Sequence, residues 1–463
     1  MGANLARNAA RNGAQVVLFN RTTKKTAEFI ERYGTEGNLI PAMTLKEFMK
    51  ALKPPRIVLL MVKAGNAVDS IVTELLQSAN CKLQPRDTLI DAGNSHYRDT
   101  ERRGLCLERK GIRFIGMGVS GGEYGALMGP SMMPGGDKNA VMKIMPFLKK
   151  MTAGDGSGGR CVTYIGPGGA GHFVKMVHNG IEYGIMQLIA ECYDLLKSIG
   201  KMKNKNIAQL FAQWSRSAEL GSFLTEITAK IFTVRDSETG NDMIDVIGDA
   251  AGQKGTGKWM TEAAMNLGIA IPTINASVDA RMLSGETERR GRLRRELPAA
   301  LIASDAVSAN TFAASVRSAL ELSVICTYAQ GFELMEKASS VEGWNLHLGE
   351  VARIWRGGCI IRSAFLEKLQ RAYGKNTATA AAASKEIFSR FAGSRQKQWR
   401  RLIGLATDRG VPTPALSASL WFYDSLRRER LPQNLIQAQR DYFGSHGFHR
   451  TDRPGTFHAD WNS

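Results

Sequence analysis

The hydrophobic period of this chain changes once, near residue 170, and that change confines the fold to two unlike parts. Before it, short β-branched runs alternate with amphipathic stretches. Residues 15–19, 57–62, 88–91, 114–117 and 162–165 read as strands, with helices at 44–52, 67–77 and 98–109 between them. Such alternation gives an α/β part with a parallel sheet and helices on both faces. From Gly171 to about residue 428, apolar residues recur at helical spacing with scarcely a strand signal, so this part is expected to be all helical. After Leu431 a short helix through Arg440 leads into a tail containing glycine, histidine and proline, either disordered or docked elsewhere.

The chemistry concentrates where the helical part begins. Lys175, His178, Asn179 and Glu182 stand at i, i+3, i+4 and i+7, within an arc of roughly 100° on one helix face. A polar stripe of this kind is ordinarily a solvated face. Here it runs into Gly184-Ile185-Met186-Gln187-Leu188-Ile189-Ala190, apolar on nearly every side, so the charges are expected inside. A buried lysine or carboxylate is costly unless paired, and burial moves both pKa values toward neutrality, where each can exchange protons with a substrate. The helix follows Gly166-Pro167-Gly168-Gly169-Ala170-Gly171, which another backbone or a ligand can approach closely.

Further stretches suit anions. Val119-Ser120-Gly121-Gly122-Glu123 follows a strand and offers closely spaced amides, a plain tight turn being the competing account. Residues 249–259 carry Lys254, Thr256 and Lys258 among three glycines, but the order K-G-T-G with no preceding strand fits an anion loop other than Walker A. Near the start, a helix over 3–12 leads through Gly13 into a strand, as in the second half of a Rossmann βαβ unit. Gly2 would be the last glycine of its phosphate-binding turn. Where an acidic residue would hold the ribose of NAD, this chain has Asn20-Arg21-Thr22, which suits the 2′-phosphate of NADP.

Composition narrows the class. At 463 residues, with 43% hydrophobic and 22% charged residues, the chain is long enough for two or three domains of globular type. Its longest apolar run in the first half, residues 57–62, is far too short to span a bilayer, and the start has no secretory h-region, so a cytoplasmic protein without membrane partners is expected. Six cysteines (Cys81, Cys106, Cys161, Cys192, Cys326, Cys359) lie far apart, without zinc or disulfide spacing, and are expected to be reduced. The net charge of +18 favours anionic partners. The basic run 289–295 lacks interleaved aromatics and is flanked by Glu286, Glu288 and Glu296, so it reads as a solvated helix or loop rather than a nucleic-acid patch.

Residues 247–259 resemble the signature of the 6-phosphogluconate dehydrogenases, and the chain is similar to that family from Met1 to the tail. Asp91-Ala92-Gly93-Asn94-Ser95, Val119 to Glu123, Gly168 to Tyr183, and Gln437 to His446 match family motifs in order. The resemblance implies oxidative decarboxylation of 6-phospho-D-gluconate to ribulose 5-phosphate with reduction of NADP, in a homodimer and without metal or nucleic acid. It implies that Lys175 is the general base at the 3-hydroxyl and that Glu182 protonates C1 of the enediol. Asn94, Ser120, Gly121, Gly122, His178 and Asn179 would hold the sugar hydroxyls and carboxylate. Tyr183, Lys254, Thr256 and Arg281 would hold the phosphate, joined by Arg440 and His446 of the partner subunit's exchanged tail. Gly2, Asn20, Arg21, Thr22, Val62, Lys63, Ala64 and Asn94 would hold NADP. The implied division is an NADP-binding domain over 1–168, a helical substrate and dimerisation domain over 169–428, and a tail over 429–463. The family pattern also has a strand and two glycines ahead of Met1-Gly2. Without that strand, two neighbouring strands are expected to keep unpaired edges, and a non-catalytic relic with NADP binding lost is the alternative reading. Another β-hydroxyacid dehydrogenase would share Lys175 and Asn179 but lack the Lys254 loop and the Arg440 tail.

Overall fold

The computed structural model describes residues 1–77, 82–298, 308–374, 380–389 and 393–461; Cys81, Asn462 and Ser463 lie outside these. The first part runs α1 (Gly2–Arg11), β1 (Val16–Phe19), α2 (Thr23–Tyr33), β2 (Leu39–Ala42), α3 (Leu45–Ala51), β3 (Ile57–Leu60), α4 (Asn66–Gln77), β4 (Thr88–Asp91), α5 (Tyr97–Glu108), β5 (Arg113–Ser120), α6 (Gly122–Met128), β6 (Ser131–Gly136) and α7 (Lys138–Met151). β1 pairs with β2, and β3, β4 and β5 pair in that order, all parallel. Between β1 and β3 the sheet is interrupted: each keeps one edge with no strand partner among the described residues. Phe19 on β1 and Ile57 and Leu59 on β3 are exposed.

Two expectations need correction. The sheet is not wholly parallel, because β6 runs antiparallel to β5, with Ile115 opposite Gly136 and Ser120 opposite Ser131. The connection between them is shorter than the roughly dozen residues a parallel crossover needs. The strand expected at 162–165 forms only an isolated bridge, Val162 with Met132. Its backbone contact with β6 continues through Ile165 N to Pro134 O and Gly136 N to Gly166 O, both at 2.9 Å, before Pro167 turns it away.

The second part is built around α8 (Ala170–Ser198). Around and after it come α9 (Asn204–Trp214), α10 (Phe223–Ile231), α11 (Met243–Val246), α12 (Thr256–Leu267), α13 (Pro272–Gly285), α14 (Thr287–Glu296), α15 (Ala309–Glu342), α16 (Leu348–Ile354), α17 (Phe365–Tyr373), α18 (Ala380–Phe388), α19 (Ser394–Asp408) and α20 (Pro414–Leu426). α8 packs against β5 and β6 at its start and against α12, α13 and α15 further along. Phe173, Val177, Ile181 and Leu188 are fully buried in that core, each worth about 1.5–3 kcal/mol relative to exposure. The basic run expected at the surface is α14, which buries no residue. No described helix is long and apolar enough to cross a membrane.

The tail is folded. It comprises α21 (Gln433–Gly444) and the hairpin β7 (Phe448–His449) with β8 (Thr456–Phe457). Buried Asp441 organises it, accepting from Gly447 N at 2.8 Å, His458 Nδ1 at 2.8 Å, Ala459 N at 3.1 Å and Trp461 Nε1 at 2.9 Å.

Candidate active site

Close approach of backbone to backbone creates the site. A Cβ on Gly171 would strike the carbonyls of Gly116 and Met133, and one on Gly118 would strike the Lys175 side chain. Glycine at both positions lets the first turns of α8 lie directly on β5 and β6. Lys175 is thereby carried to the C-terminal end of β5, where Ser120 ends the strand. Gly121 then turns the chain with φ at +134°, and a Cβ there would meet Gly358 O at 2.7 Å, in the loop before α17.

The stripe on α8 is inside. Lys175, His178 and Asn179 are buried, while Glu182 keeps 21% of its side chain exposed. The Lys175 ammonium donates to Asn179 Oδ1 and lies 3.3 Å from His178 Nδ1. His178 Nε2 is 3.0 Å from Ser120 Oγ, which also accepts from Ile360 N at 3.4 Å. His178 Nδ1 thus stands between a donor, Lys175 Nζ, and an acceptor, Asn179 Oδ1 at 3.2 Å. Trp355 closes the other side, edge-on to the His178 ring at 5.6 Å.

Burial dominates the electrostatics. Desolvation pushes the Lys175 ammonium below the usual lysine range, against the pull of the Glu182 charge. Desolvation also pushes Glu182 above the usual carboxylate range, outweighing Lys175 and Arg281. His178, buried beside Lys175, is held well below its ordinary value and stays neutral. The base and the acid therefore move toward one another, the condition under which one group can take a proton and the other give one.

One turn along α8 the surroundings become cationic. The Arg281 guanidinium lies 3.6 Å above the Tyr183 ring and donates to Gly252 O at 3.0 Å, tying α13 to the loop that carries Lys254. Thr256 is buried at the start of α12, and a Cβ on Gly257 would press on the Tyr183 ring at 2.9 Å. Tyr183, Thr256, Arg281 and the Lys254 loop are thus brought together, with Lys254 exposed.

The cofactor candidates line the C-terminal ends of the parallel strands. Asn20, Arg21 and Thr22 follow β1, Val62, Lys63 and Ala64 follow β3, and Asn94 follows β4. Asn20 Oδ1 accepts from Thr22 N at 2.9 Å, leaving Arg21 exposed and without an ion pair among the described residues. Gly2 begins α1, which has no side-chain cap, and a Cβ there would lie 3.1 Å from Met61 Cγ. Uncapped amides and a free guanidinium fit the phosphates of NADP.

The tail candidates make contacts within the tail. Arg440 donates to Gln437 Oε1 at 3.1 Å, and His446 stacks edge-on to Phe443; both are exposed. Residues that sequence reasoning missed include Ile360 and Trp355, brought to Ser120 and His178 from well over 150 positions away in the chain with no local signal. Arg103, fully buried behind the Asn94 loop, is another.

Comparison with known proteins places the chain in a family. A family model described as the NAD binding domain of 6-phosphogluconate dehydrogenase matches residues 1–166, and one for that enzyme's C-terminal domain matches residues 171–461. The 6-phosphogluconate dehydrogenase, decarboxylating, of Synechococcus elongatus is 51% identical over 462 residues, covering 100% of this chain and 97% of its own. The rice enzyme of the same description (Oryza sativa subsp. japonica) is 46% identical, covering 100% and 95%. The 6-phosphogluconate dehydrogenase of Plasmodium falciparum, solved in its apo form and in complex with its cofactor NADP+ and with its substrate 6-phosphogluconate, superposes with a TM-score of 0.92 at 40% identity, covering 100% and 98%. With similarity of this extent running through both the sheet and the α8 site, the chain belongs to the 6-phosphogluconate dehydrogenase family.

Proposed function

We infer that this chain catalyses oxidative decarboxylation of 6-phospho-D-gluconate to D-ribulose 5-phosphate and carbon dioxide, reducing NADP+ to NADPH. The observation that carries the reading is the pair on α8, a buried lysine shifted down and a partly buried glutamate shifted up, beside a cationic pocket. Full-length identity of 51% to a decarboxylating enzyme supports it, and nothing among the relatives supports a non-catalytic relic.

NADP, when bound, supplies the hydride acceptor. Lys175 takes the proton of the 3-hydroxyl as the C3 hydrogen leaves, burial having lowered the cost of freeing its amine from its own proton. The resulting β-keto acid loses carbon dioxide readily; Lys175 returns its proton to the keto oxygen, and Glu182 then protonates C1 of the enediol. Asn179, His178 and Ser120 hold the hydroxyls and carboxylate, with Gly121 and Gly122 supplying amides and Asn94 reaching both substrate and cofactor. Tyr183, Lys254, Thr256 and Arg281 take the phosphate. Val62, Lys63 and Ala64 line the cofactor between Gly2 and Asn94, while Arg21 and Thr22 beside Asn20 meet its 2′-phosphate.

We divide the chain into a cofactor domain (1–168), a helical substrate and dimerisation domain (169–428) and a tail (429–463). The tail reaches across a homodimer to bring Arg440 and His446 to the partner's phosphate pocket. Leu435, Ile436, Tyr442 and Phe443 support this, since one chain leaves these α21 side chains exposed. The cytoplasm is the compartment we assign, in keeping with five described cysteines that are free thiols, four of them buried. The test is an assay of NADPH formation and carbon dioxide release from 6-phosphogluconate. A protein that binds NADP yet forms neither product from this substrate would overturn the reading.

A further inference from the structure

Two loops border the cofactor edge of the sheet, and one buried side chain holds both. Arg103, on α5, has 1% of its side chain exposed. Its Nη2 donates to Gly65 O at 3.1 Å, in the loop between β3 and α4 that contains Val62, Lys63 and Ala64. Nε and Nη2 grip the Asp69 carboxylate of α4 at 2.8 and 2.9 Å. Nη1 points the other way, 3.5 Å from Ser95 Oγ and 3.6 Å from Asp91 Oδ2, in the loop between β4 and α5. Asp91, fully buried, completes that loop by accepting from Gly93 N at 3.0 Å and from Ser95 Oγ at 2.6 Å, so both neighbours of Asn94 are pinned. The guanidinium holds the Asp69 carboxyl down at about 2, so the pair is ionised across the working pH range. Asn94 itself is exposed at the tip of this braced loop.

We propose that Arg103 is a positioning residue for the cofactor: it sets the separation of the β3–α4 and β4–α5 loops and so places Asn94 and the Val62–Ala64 backbone against one NADP molecule. The proposal rests on the cofactor assignment made above. A planar fork with five donors can reach Gly65, Asp69 and Ser95 together, whereas a single ammonium cannot. The phosphate pocket of Tyr183, Thr256 and Arg281 shares no bond with Arg103.

The test compares wild type, Arg103→Lys, Arg103→Met and Asp69→Asn by direct NADP+ titration and by steady-state kinetics. Expected for Arg103→Met is an increase in the NADP Kd and KM of roughly tenfold or more, because loops no longer braced by the guanidinium must be ordered at the expense of binding. The KM for 6-phosphogluconate should move less than about threefold, since most of its contacts lie elsewhere. Arg103→Lys should fall between, and Asp69→Asn should show a smaller change of the same kind. Equal losses in both KM values, or an unchanged NADP Kd in Arg103→Lys and Asp69→Asn, would overturn the proposal and leave Arg103 a stabilising residue only. Should Arg103→Met fail to fold, those two variants decide. Wild type that binds NADP without turning over 6-phosphogluconate would count against the proposed reaction, while the ratio of NADP Kd values would still judge the clamp.

Discussion

Two helices carry charged residues proposed for the same reaction, and their surroundings could hardly differ more. α8 is enclosed by β5, β6, α12, α13 and α15, and burial has shifted its lysine and glutamate toward neutrality. α21 buries only Asp441 and presents Arg440 to water. The difference teaches what each can do. A group that must gain and lose a proton near neutral pH needs desolvation, which α8 provides. A group that only binds a phosphate needs a permanent charge, which a solvated arginine keeps.

The comparison breaks first at Lys175. Lys175→Met should retain the fold and substrate binding yet lose roughly three orders of magnitude or more in kcat, because the base and its alignment go together. Near-normal turnover would show that α8 burial serves stability alone. Glu182→Gln should cost about a hundredfold in overall rate. Single-turnover measurements should find NADPH formation affected less than release of protonated product. A slowing confined to NADPH formation would move Glu182 to the first step.

Arg440→Ala sharpens the other side. Loss of one charge-assisted phosphate bond should raise the KM for 6-phosphogluconate roughly 10- to 100-fold with kcat less affected. Co-assembled with Lys175→Met and assayed at 6-phosphogluconate well below the KM of Arg440→Ala, it should regain up to about half of the activity of wild-type dimers, since one site then joins an intact Lys175 to an intact Arg440. No recovery in verified mixed dimers would mean that each tail serves its own subunit.

An effect on stability alone, not on turnover, concerns another carboxylate on α8, which is buried. Glu191 accepts from Ala415 N at 2.8 Å and Leu416 N at 2.9 Å at the start of α20. Burial outweighs those bonds and raises its pKa from 4.5 to about 7. Between these values the folded protein keeps a proton that the unfolded chain has lost, so this group's contribution to stability falls as pH rises and is gone above about 7. The full span is about 3 kcal/mol at most. Glu191→Gln, neutral throughout, should flatten the pH dependence of thermal unfolding across that window. An identical slope in the variant would place the titration elsewhere.

Much of the first part was legible because strand and helix periods are local. The expected strands at 15–19, 57–62, 88–91 and 114–117 all formed, within a residue or two at most ends. What failed was pairing. β6 returns antiparallel, and 162–165 stays a bridge, because both depend on what lies beside the segment rather than on its composition. Arg103 shows the same limit at the site. On α5 it is one arginine among several, and only the approach of Gly65, Asp69 and Ser95 singles it out.

By itself the sequence determined which residues share a face. The positions of Lys175, His178, Asn179 and Glu182 are set by the geometry of one helix turn, which covalent structure and backbone hydrogen bonding impose wherever the helix forms. It also marked Gly166 to Gly171 as a stretch that another backbone could approach closely, although the matching approach of Gly118 to Lys175 came from the structure. Tertiary structure alone decided how deep that face lies, which carbonyls and rings surround it, and that Ile360 and Trp355 complete it. The physical reason is one of range: helical period is fixed within a few residues, whereas desolvation, which makes a lysine a base, depends on atoms brought from distant parts of the chain.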